Sequence, residues 1–255
     1  MTRVAIVLTE MRSGSNWITS LTDATGRMGT SGEWFAPKRY PGKRIGADAE
    51  DALDRIVASA STPEGNAIIR VFPNHLTFFH RRYGADALRA LAARHPTTVL
   101  FLTRRDRLGQ AVSTAKARQT EQWRSDEERS GEPRYDFELI LRFYRYIEAS
   151  YAWSRTYLPL SGLEWREFVY EDLLTDQRAW IDHLSAWFDS PVETIPPSPY
   201  VVQRDSTNAT WRERFLADAR ERDLLQSGLL APRVKPGLGS LRAYLKGSLR
   251  ASSPF

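Results

Sequence analysis

The sequence predicts an α/β fold with a parallel central sheet flanked by helices, and three observations support this. Short apolar runs alternate with amphipathic stretches along the 255 residues, and strands that are separated by helices pair as parallel sheets covered on both faces. The first apolar run stops at a turn of small residues and continues as a helical pattern. No repeat or low-complexity linker divides the chain, so residues 1–255 are predicted to form a single domain.

The first three strands are predicted from short apolar runs that end at a polar turn or at a proline. The first run, VAIVL, precedes the polar stretch TEMRSGSNW. The second run is stopped by Pro73, because proline cannot donate to a strand ladder. The predicted strands are Val4–Thr9, Asn66–Phe72, Thr97–Thr103 and Trp165–Tyr170.

The helices are predicted from apolar residues three or four positions apart, such as Leu53, Ile56 and Val57. Gly26 lies just past the first helical pattern and is a typical helix end. The predicted helices are Ser15–Ala24, Ala49–Ser59, Ala85–Arg94, a helix from about Arg107, Phe137–Tyr157, Gln177–Phe188 and Thr210–Gln226.

Two polar segments between these elements are predicted as long loops. Gly29–Ile45 is rich in glycine, proline and basic residues, and Gln122–Arg134 is charged and typical of an exposed lid. Ligands of parallel sheets bind at the carboxyl ends of the strands. The loop Thr9–Asn16 and the turns Thr103–Asp106 and Tyr170–Asp172 are therefore expected on one edge of the sheet.

Composition excludes several classes of chemistry. The chain has no cysteine, which excludes disulfides, thiolate catalysis and Cys-based metal sites. The formal net charge of +5 fits a protein that handles anions, but no nucleic-acid motif is present. No apolar stretch is long enough for stable membrane insertion, and the absence of a signal peptide favours the cytoplasm. No metal is expected, because no metal-ligand spacing links the histidines His75, His80, His95 and His183.

The stretch RSGSNW, Arg12–Trp17, separates the first strand from the first helix. A small-residue turn at a helix N-terminus presents backbone N–H groups and partial positive charge to an anion. A helix start capped by Ser15 with nothing bound is an equally good interpretation of this stretch alone. The Walker A pattern GxxxxGK[ST] is absent from the chain.

A second candidate anion site lies in LTRRDRLGQAVSTAKARQTEQW, Leu102–Trp123. Two arginines end a buried strand, and Ser113 follows on the next predicted helix. Arginine and a hydroxyl group can hold a phosphate together. Taken alone, a solvated helix start is the better interpretation.

Together these stretches resemble the sulfotransferases that use 3′-phosphoadenosine-5′-phosphosulfate (PAPS) as donor. RSGSNW is similar to their 5′-phosphosulfate loop, RRDRLGQAVS to their 3′-phosphate motif, and VYEDLL to a further recurrent stretch. QAVSTAKARQTEQW and the run from Ala24 to Phe35, with its GEWF, resemble the bacterial carbohydrate sulfotransferases that act on trehalose or nodulation factors. The resemblance, from Val4 to Trp211, implies a P-loop-like sulfotransferase fold.

The resemblance also implies roles for the donor-binding residues. Arg12 matches a basic residue near the bridging oxygen, and Trp17 an aromatic position that stacks on adenine in some members. Ser113 would bind the 3′-phosphate with either Arg104 or Arg105, and Gln203 and Arg204 lie where the late chain returns to the nucleotide. The residues expected around the 5′-phosphosulfate are Arg12, Ser13, Gly14, Ser15 and Asn16.

Two residues compete for the role of general base. Glu33, in GEW, matches the proposed base of the trehalose enzyme, whereas His75 follows the second strand, where many eukaryotic members have a histidine. The resemblance favours Glu33. Two other positions depart from the family pattern: Asn16 replaces a common threonine, and Arg70 stands where a strand lysine is usual. Neither departure excludes donor binding.

The predicted activity is transfer of a sulfuryl group from PAPS to a hydroxyl of a sugar or glycosylated metabolite, with adenosine 3′,5′-bisphosphate (PAP) as product. The alternatives are a nucleotide-dependent phosphotransferase and a non-catalytic nucleotide-binding protein. Trp34, Phe35, Trp123 and Tyr135 could stack on the acceptor or pack the domain. A homodimer is left open. Residues 235–255 form a basic amphipathic segment, for which packing on its own domain is favoured over an anionic membrane surface or a partner.

Overall fold

The computed structural model describes residues 1–39, 45–124, 126–200 and 206–222. By its contacts the chain divides into Met1–Glu213, which contains the sheet, and Arg214–Phe255. Two sets of predicted functional residues, Gln203 with Arg204 and the segment 235–255, lie outside the described residues. The single-domain assignment stays a prediction.

The sheet has four parallel strands in the order β2-β1-β3-β4. This confirms the predicted α/β class. The observed bounds agree with the predicted ones to within a residue or two at each end. The strands are β1 (Arg3–Leu8), β2 (Asn66–Val71), β3 (Thr97–Thr103) and β4 (Glu164–Val169).

Helices cover both faces of the sheet. Leu100 and Leu102 belong to a buried cluster with residues of the helices after β1 and β4, whereas Phe101 packs edge-on against Tyr151 of the longest helix. Neighbouring residues of a strand point to opposite faces. The helices are α1 (Ser15–Asp23), α2 (Ala49–Ala60), α3 (Pro73–Tyr83), α4 (Ala87–Ala92), α5 (Arg107–Thr120), α6 (Phe137–Ser161), α7 (Tyr170–Leu173), α8 (Arg178–Phe188) and α9 (Ser206–Glu221).

Strand order fixes where a ligand can bind. The chain passes from β1 to β2 on one side and then to β3 on the other, so the crossover direction reverses between β1 and β3. Open α/β sheets bind ligands at such a reversal, outside the carboxyl ends of the strands. Leu8 of β1 lies level with Phe101 of β3, so the loops that follow these strands face each other across the crevice.

Helix α3 was not predicted, and it changes the setting of His75. Pro73 ends β2 but is also the first residue of the helix, a position where its fixed φ suits a helix and its missing N–H costs nothing. His75 therefore lies in a first helical turn and is buried.

Candidate functional site

A cavity of about 620 Å³ opens at the carboxyl edge of the sheet. It is bordered by the loop after β1, the start of α1, the turn after β3, and the starts of α3 and α7. Its volume is typical of a small-molecule site. Of the predicted site residues, the cavity is lined by Arg12, Gly14, Ser15, Asn16, Trp17, Glu33, His75, Arg104 and Ser113.

The loop after β1 holds an unusual backbone conformation. Arg12 and Gly14 have positive φ angles of 58° and 87°, the left-handed region that costs ordinary residues energy. Gly14 is the N-cap of α1, and no side chain caps that helix. The first N–H groups of α1 are thus available to an anion in the cavity.

Gly14 also makes a close approach that only glycine allows. A Cβ atom on Gly14 would lie 2.1 Å from the ring of Tyr170, the first residue of α7. The same ring meets Trp17 edge-on, with centroids 6.0 Å apart. Tyr170 therefore supports the loop from the side, and Ser13 lies buried beneath it, with its Oγ 2.8 Å from Oγ1 of Thr9.

The Arg12 side chain crosses the cavity to α5. Its Nε donates to Oγ of Ser113 at 2.9 Å, and its Nη1 donates to the carbonyl of Trp123 at 2.5 Å. Arg104 donates to the carbonyl of Arg12 at 3.0 Å. Burial lowers the pKa of Arg12, and the nearby positive charge of Arg104 lowers it further. Arg104 lies 3.9 Å from the carboxylate of Glu171, whereas Arg12 is a buried cation beside a second arginine, which favours an anionic ligand.

The two arginines after β3 point in different directions. Arg104 lines the cavity. Arg105 forms an exposed ion pair with both carboxylate oxygens of Asp172, at 2.8 and 2.9 Å. Glu171 fixes this turn by accepting the backbone N–H groups of Arg105 and Asp106 at 2.7 and 3.0 Å. The structure thus brings Arg104, and not Arg105, together with Ser113.

The two positions that depart from the family pattern are in direct contact. Nη1 of Arg70, near the end of β2, donates to Oδ1 of Asn16. Nη2 of the same guanidinium lies 3.5 Å from Oε1 of Glu33. Burial lowers the pKa of Arg70, while the carboxylate of Glu33 acts in the opposite direction. Arg70 therefore connects the loop after β1 to the candidate base.

Glu33 returns to the cavity because the segment before it runs along the outer edge of β2. Gly29, with φ 111°, lies so close to the backbone of Ile68 that a Cβ would be 2.5 Å from its nitrogen. The N–H of Arg70 then donates to the carbonyl of Gly32 at 3.0 Å. The segment before Glu33 thus runs beside β2. Since β2 ends at the cavity, this segment places Glu33 there.

His75 lines the same cavity. Its Nδ1 accepts the backbone N–H of Phe72 at 3.4 Å, and its ring stacks on that of Phe72. Nδ1 is thus already in contact with the backbone, whereas the Glu33 side chain lines the cavity beside Arg70.

The aromatic residues proposed for the acceptor differ in their surroundings. Trp123 lines the cavity. Phe35 is fully buried and packs against Phe79, and Tyr135 packs edge-on against Trp211. Trp34 lies under the guanidinium of Arg39, 4.2 Å from ring centre to Cζ. Packing thus accounts for Phe35 and Tyr135, whereas Trp123 remains available to a ligand.

Comparison with known proteins identifies the family. The model of the Stf0 sulphotransferase family matches residues 4–218, which include the cavity and all of the sheet except its first residue, Arg3. The chain belongs to this family. A solved sulfotransferase structure from Alicyclobacillus acidocaldarius is similar over 89% of this chain and 98% of its own, with 15% sequence identity and a TM-score of 0.47. No curated protein matches the chain.

Two further features of this sulfotransferase concern metals and membranes. Within residues 1–39, 45–124, 126–200 and 206–222, no group of three or more His, Asp or Glu side chains could hold a metal ion. In the same part of the chain no helix is both long enough and apolar enough to cross a membrane.

Sequence analysis missed Glu10, a buried acid at the start of the loop after β1. Its carboxylate accepts the hydroxyl of Ser150 on α6 and the N–H of Met11. Gln110 donates to the carbonyl of Met11 at 2.8 Å and hydrogen-bonds Tyr151. These contacts tie the loop of the sulfotransferase to α5 and α6. The available signal was a charged residue directly after a buried strand, in VAIVLTE.

Burial raises the pKa of Glu10 to about 7 from an ordinary 4.5. The folded protein then binds more protons than the unfolded chain between these values, so the free energy of unfolding falls as pH rises from about 4.5 to 7. We expect Glu10→Gln to remove this loss and to be more stable than the wild type at pH 8, by up to roughly 3 kcal/mol. Urea unfolding at pH 5 and pH 8 measures it, with exposed Glu128→Gln as control. An unchanged pH dependence in Glu10→Gln would contradict the assignment.

Proposed function

We propose that the chain transfers a sulfuryl group from PAPS to a hydroxyl of a sugar or glycosylated metabolite in the cytoplasm. The observation that supports the proposal is that one cavity is lined by two separate groups of donors suited to anions. One is the uncapped start of α1; the other is formed by Arg12, Arg104 and Ser113. PAPS carries two anionic groups, the 5′-phosphosulfate and the 3′-phosphate, and so fits this pair.

Different residues of the cavity would bind the donor, stabilise the leaving group and accept the proton. The N–H groups of α1 and the Asn16 side chain would hold the 5′-phosphosulfate, and Arg104 with Ser113 the 3′-phosphate. PAPS supplies a sulfuryl group on a phosphate leaving group, and its transfer resembles loose, in-line phosphoryl transfer. The cationic cavity would stabilise the charge that moves onto the leaving group. Glu33 would accept the proton of the acceptor hydroxyl.

The acceptor would enter beside Glu33. This wall of the cavity contains Ala36 and Pro37 as apolar surface and Asn74 and His75 as polar groups. Such a mixture suits a sugar, which has hydroxyl groups at its rim and an apolar ring face. The test is a screen of hydroxylated metabolites with labelled PAPS, read by mass spectrometry for the sulfated product.

Donor recognition is testable without the acceptor. We expect PAP to bind about tenfold or more tightly than AMP, because a charge-assisted contact to the 3′-phosphate is worth roughly 1.5–3 kcal/mol. Arg104→Ala should remove most of this preference. Arg105→Ala should keep it, because the Arg105 side chain is paired outside the cavity. Calorimetry with both nucleotides measures the ratio.

Three outcomes would contradict this proposal. Equal affinity for PAP and AMP would remove the second anion site. Tight, Mg²⁺-dependent binding of ATP would indicate a phosphotransferase. PAP binding with no sulfated product from any hydroxylated compound would support a non-catalytic nucleotide-binding protein.

A further inference from the structure

The Arg70 guanidinium contacts both a donor-side and an acceptor-side residue of the cavity. Its side chain is 12% exposed. Nη1 donates to Asn16 in the first turn of α1, and Nη2 lies 3.5 Å from Glu33. Asn16 belongs to the proposed donor site and Glu33 to the proposed acceptor site.

Arginine is suited to this bridge in a way that lysine is not. The two acceptors belong to separate segments, and two different nitrogens of one rigid fork reach them. A lysine has one nitrogen, which would have to lie within hydrogen-bond distance of both oxygens at once. Replacing Arg70 with lysine therefore keeps a positive charge in the site and removes the bridge.

A second contact links α1 to the segment that contains Glu33. Asp23, at the other end of α1, accepts the N–H and the hydroxyl of Ser31 at 2.7 and 2.6 Å. Ser31 lies two residues before Glu33. The start of α1 is thus tied to Glu33 through Arg70, and its end is tied to the same segment through Asp23. A shift of Asn16 would be passed to Glu33 along this closed path.

We propose that Arg70 is a positioning residue that couples Asn16, in the first turn of α1, to Glu33, the proposed general base. It fixes Asn16 for donor binding with one arm and holds the carboxylate of Glu33 towards the acceptor with the other. This inference rests on the proposed sulfotransferase function. The two contacts of Arg70 make different predictions, because the contact to Asn16 acts on donor affinity (the donor arm) and the contact to Glu33 acts on turnover (the acceptor arm).

The first measurement is a double-mutant cycle on PAP affinity by calorimetry. Arg70→Lys and Asn16→Ala are each expected to weaken PAP binding about fivefold, the size of a single modest hydrogen-bond loss. The double variant should also be about fivefold weaker, because either change breaks the same contact. A loss of PAP affinity in the double variant equal to the product of the two single effects, about 25-fold, would overturn the donor arm.

The second measurement is turnover with PAPS and a hydroxylated acceptor from the screen, at saturating donor. Arg70→Lys is expected to lower kcat about tenfold in the wild type, from misplacement of the base. It should have no further effect in a Glu33→Gln background, while its effect on PAP affinity persists there. An equal loss of kcat in that background would overturn the acceptor arm.

Arg94→Lys is the matched control. Arg94 also bridges two acceptors, the carboxylate of Asp54 and the carbonyl of Glu50, but on the outside of the domain. Arg94→Lys should change neither PAP affinity nor kcat. If the wild type does not bind PAP, the proposed function and this inference fall together. If it binds PAP and transfers the sulfuryl group, but the Arg70 effects are additive, only the inference falls.

Discussion

Gly14→Ala is expected to lower PAP affinity by at least about 100-fold, the loss of two or so hydrogen bonds to a charged group. The alanine Cβ would lie 2.1 Å from the Tyr170 ring, and φ at this position is 87°. The ring is nearly buried, so the loop has to move instead. Because Gly14 is the N-cap of α1, that movement turns the N–H groups of the first helical turn away from the anion.

Gly26→Ala separates the two causes of the expected loss of PAP affinity, the clash of the new Cβ and the strain of a left-handed backbone. Gly26 also has a left-handed backbone, with φ 65°, but nothing lies within 4 Å of the Cβ position. It should lose about 1 kcal/mol of stability from backbone strain alone and bind PAP as the wild type does. Calorimetry with PAP and thermal unfolding of both variants supply the comparison. Equal PAP affinity of Gly14→Ala and the wild type would show that the start of α1 does not hold the donor.

The strands were predictable because their signal is local. In a parallel sheet covered on both faces, a strand is a short apolar run that ends at a polar turn, and β1 and β3 follow that rule. Strand β2 ends at Pro73 instead, and β4, EWREFV, is mostly charged and exposed. Helix α3 was missed because Pro73 satisfies two rules at once: it ends a strand and begins a helix. Only the residues after Pro73 show whether a helix follows the strand. Phe78 is a large apolar residue on the exposed surface of that helix, so the helical spacing of apolar residues is not clear in the sequence.

The candidate site was predictable as a set of loops but not in its contacts. Strand ends place Arg12, Arg104 and Ser113 on one edge of the sheet. Which of Arg104 and Arg105 faces the cavity depends on partners distant in sequence, Glu171 and Asp172. The Asn16–Arg70 contact spans 54 residues. In the sequence these two residues are separate departures from the family pattern, whereas in the structure they form one feature.

Glu33→Gln is expected to lower turnover by roughly 10²–10⁴, the usual contribution of a general base. The amide keeps the size of the side chain and can still accept a hydrogen bond from Arg70, so the cavity keeps its shape. It cannot take a proton from the acceptor hydroxyl. PAP affinity should stay nearly unchanged, because the donor contacts lie on the loop after β1 and on the turn after β3. Single-turnover transfer from labelled PAPS and calorimetry with PAP measure the two quantities.

His75→Ala is the matching test of the rival base, and a much smaller loss of turnover is expected. His75 packs on Phe72 and accepts its N–H through Nδ1, so its removal costs this packing and this contact but leaves the Glu33 carboxylate in place. The opposite ranking, with His75 essential and Glu33 dispensable, would move the base to the start of α3. That result would leave donor recognition intact and would make the mechanism resemble that of the eukaryotic sulfotransferases. If neither substitution lowers turnover, the acceptor hydroxyl must be acidic enough to react without a base, and the proposal of a sugar acceptor would fail.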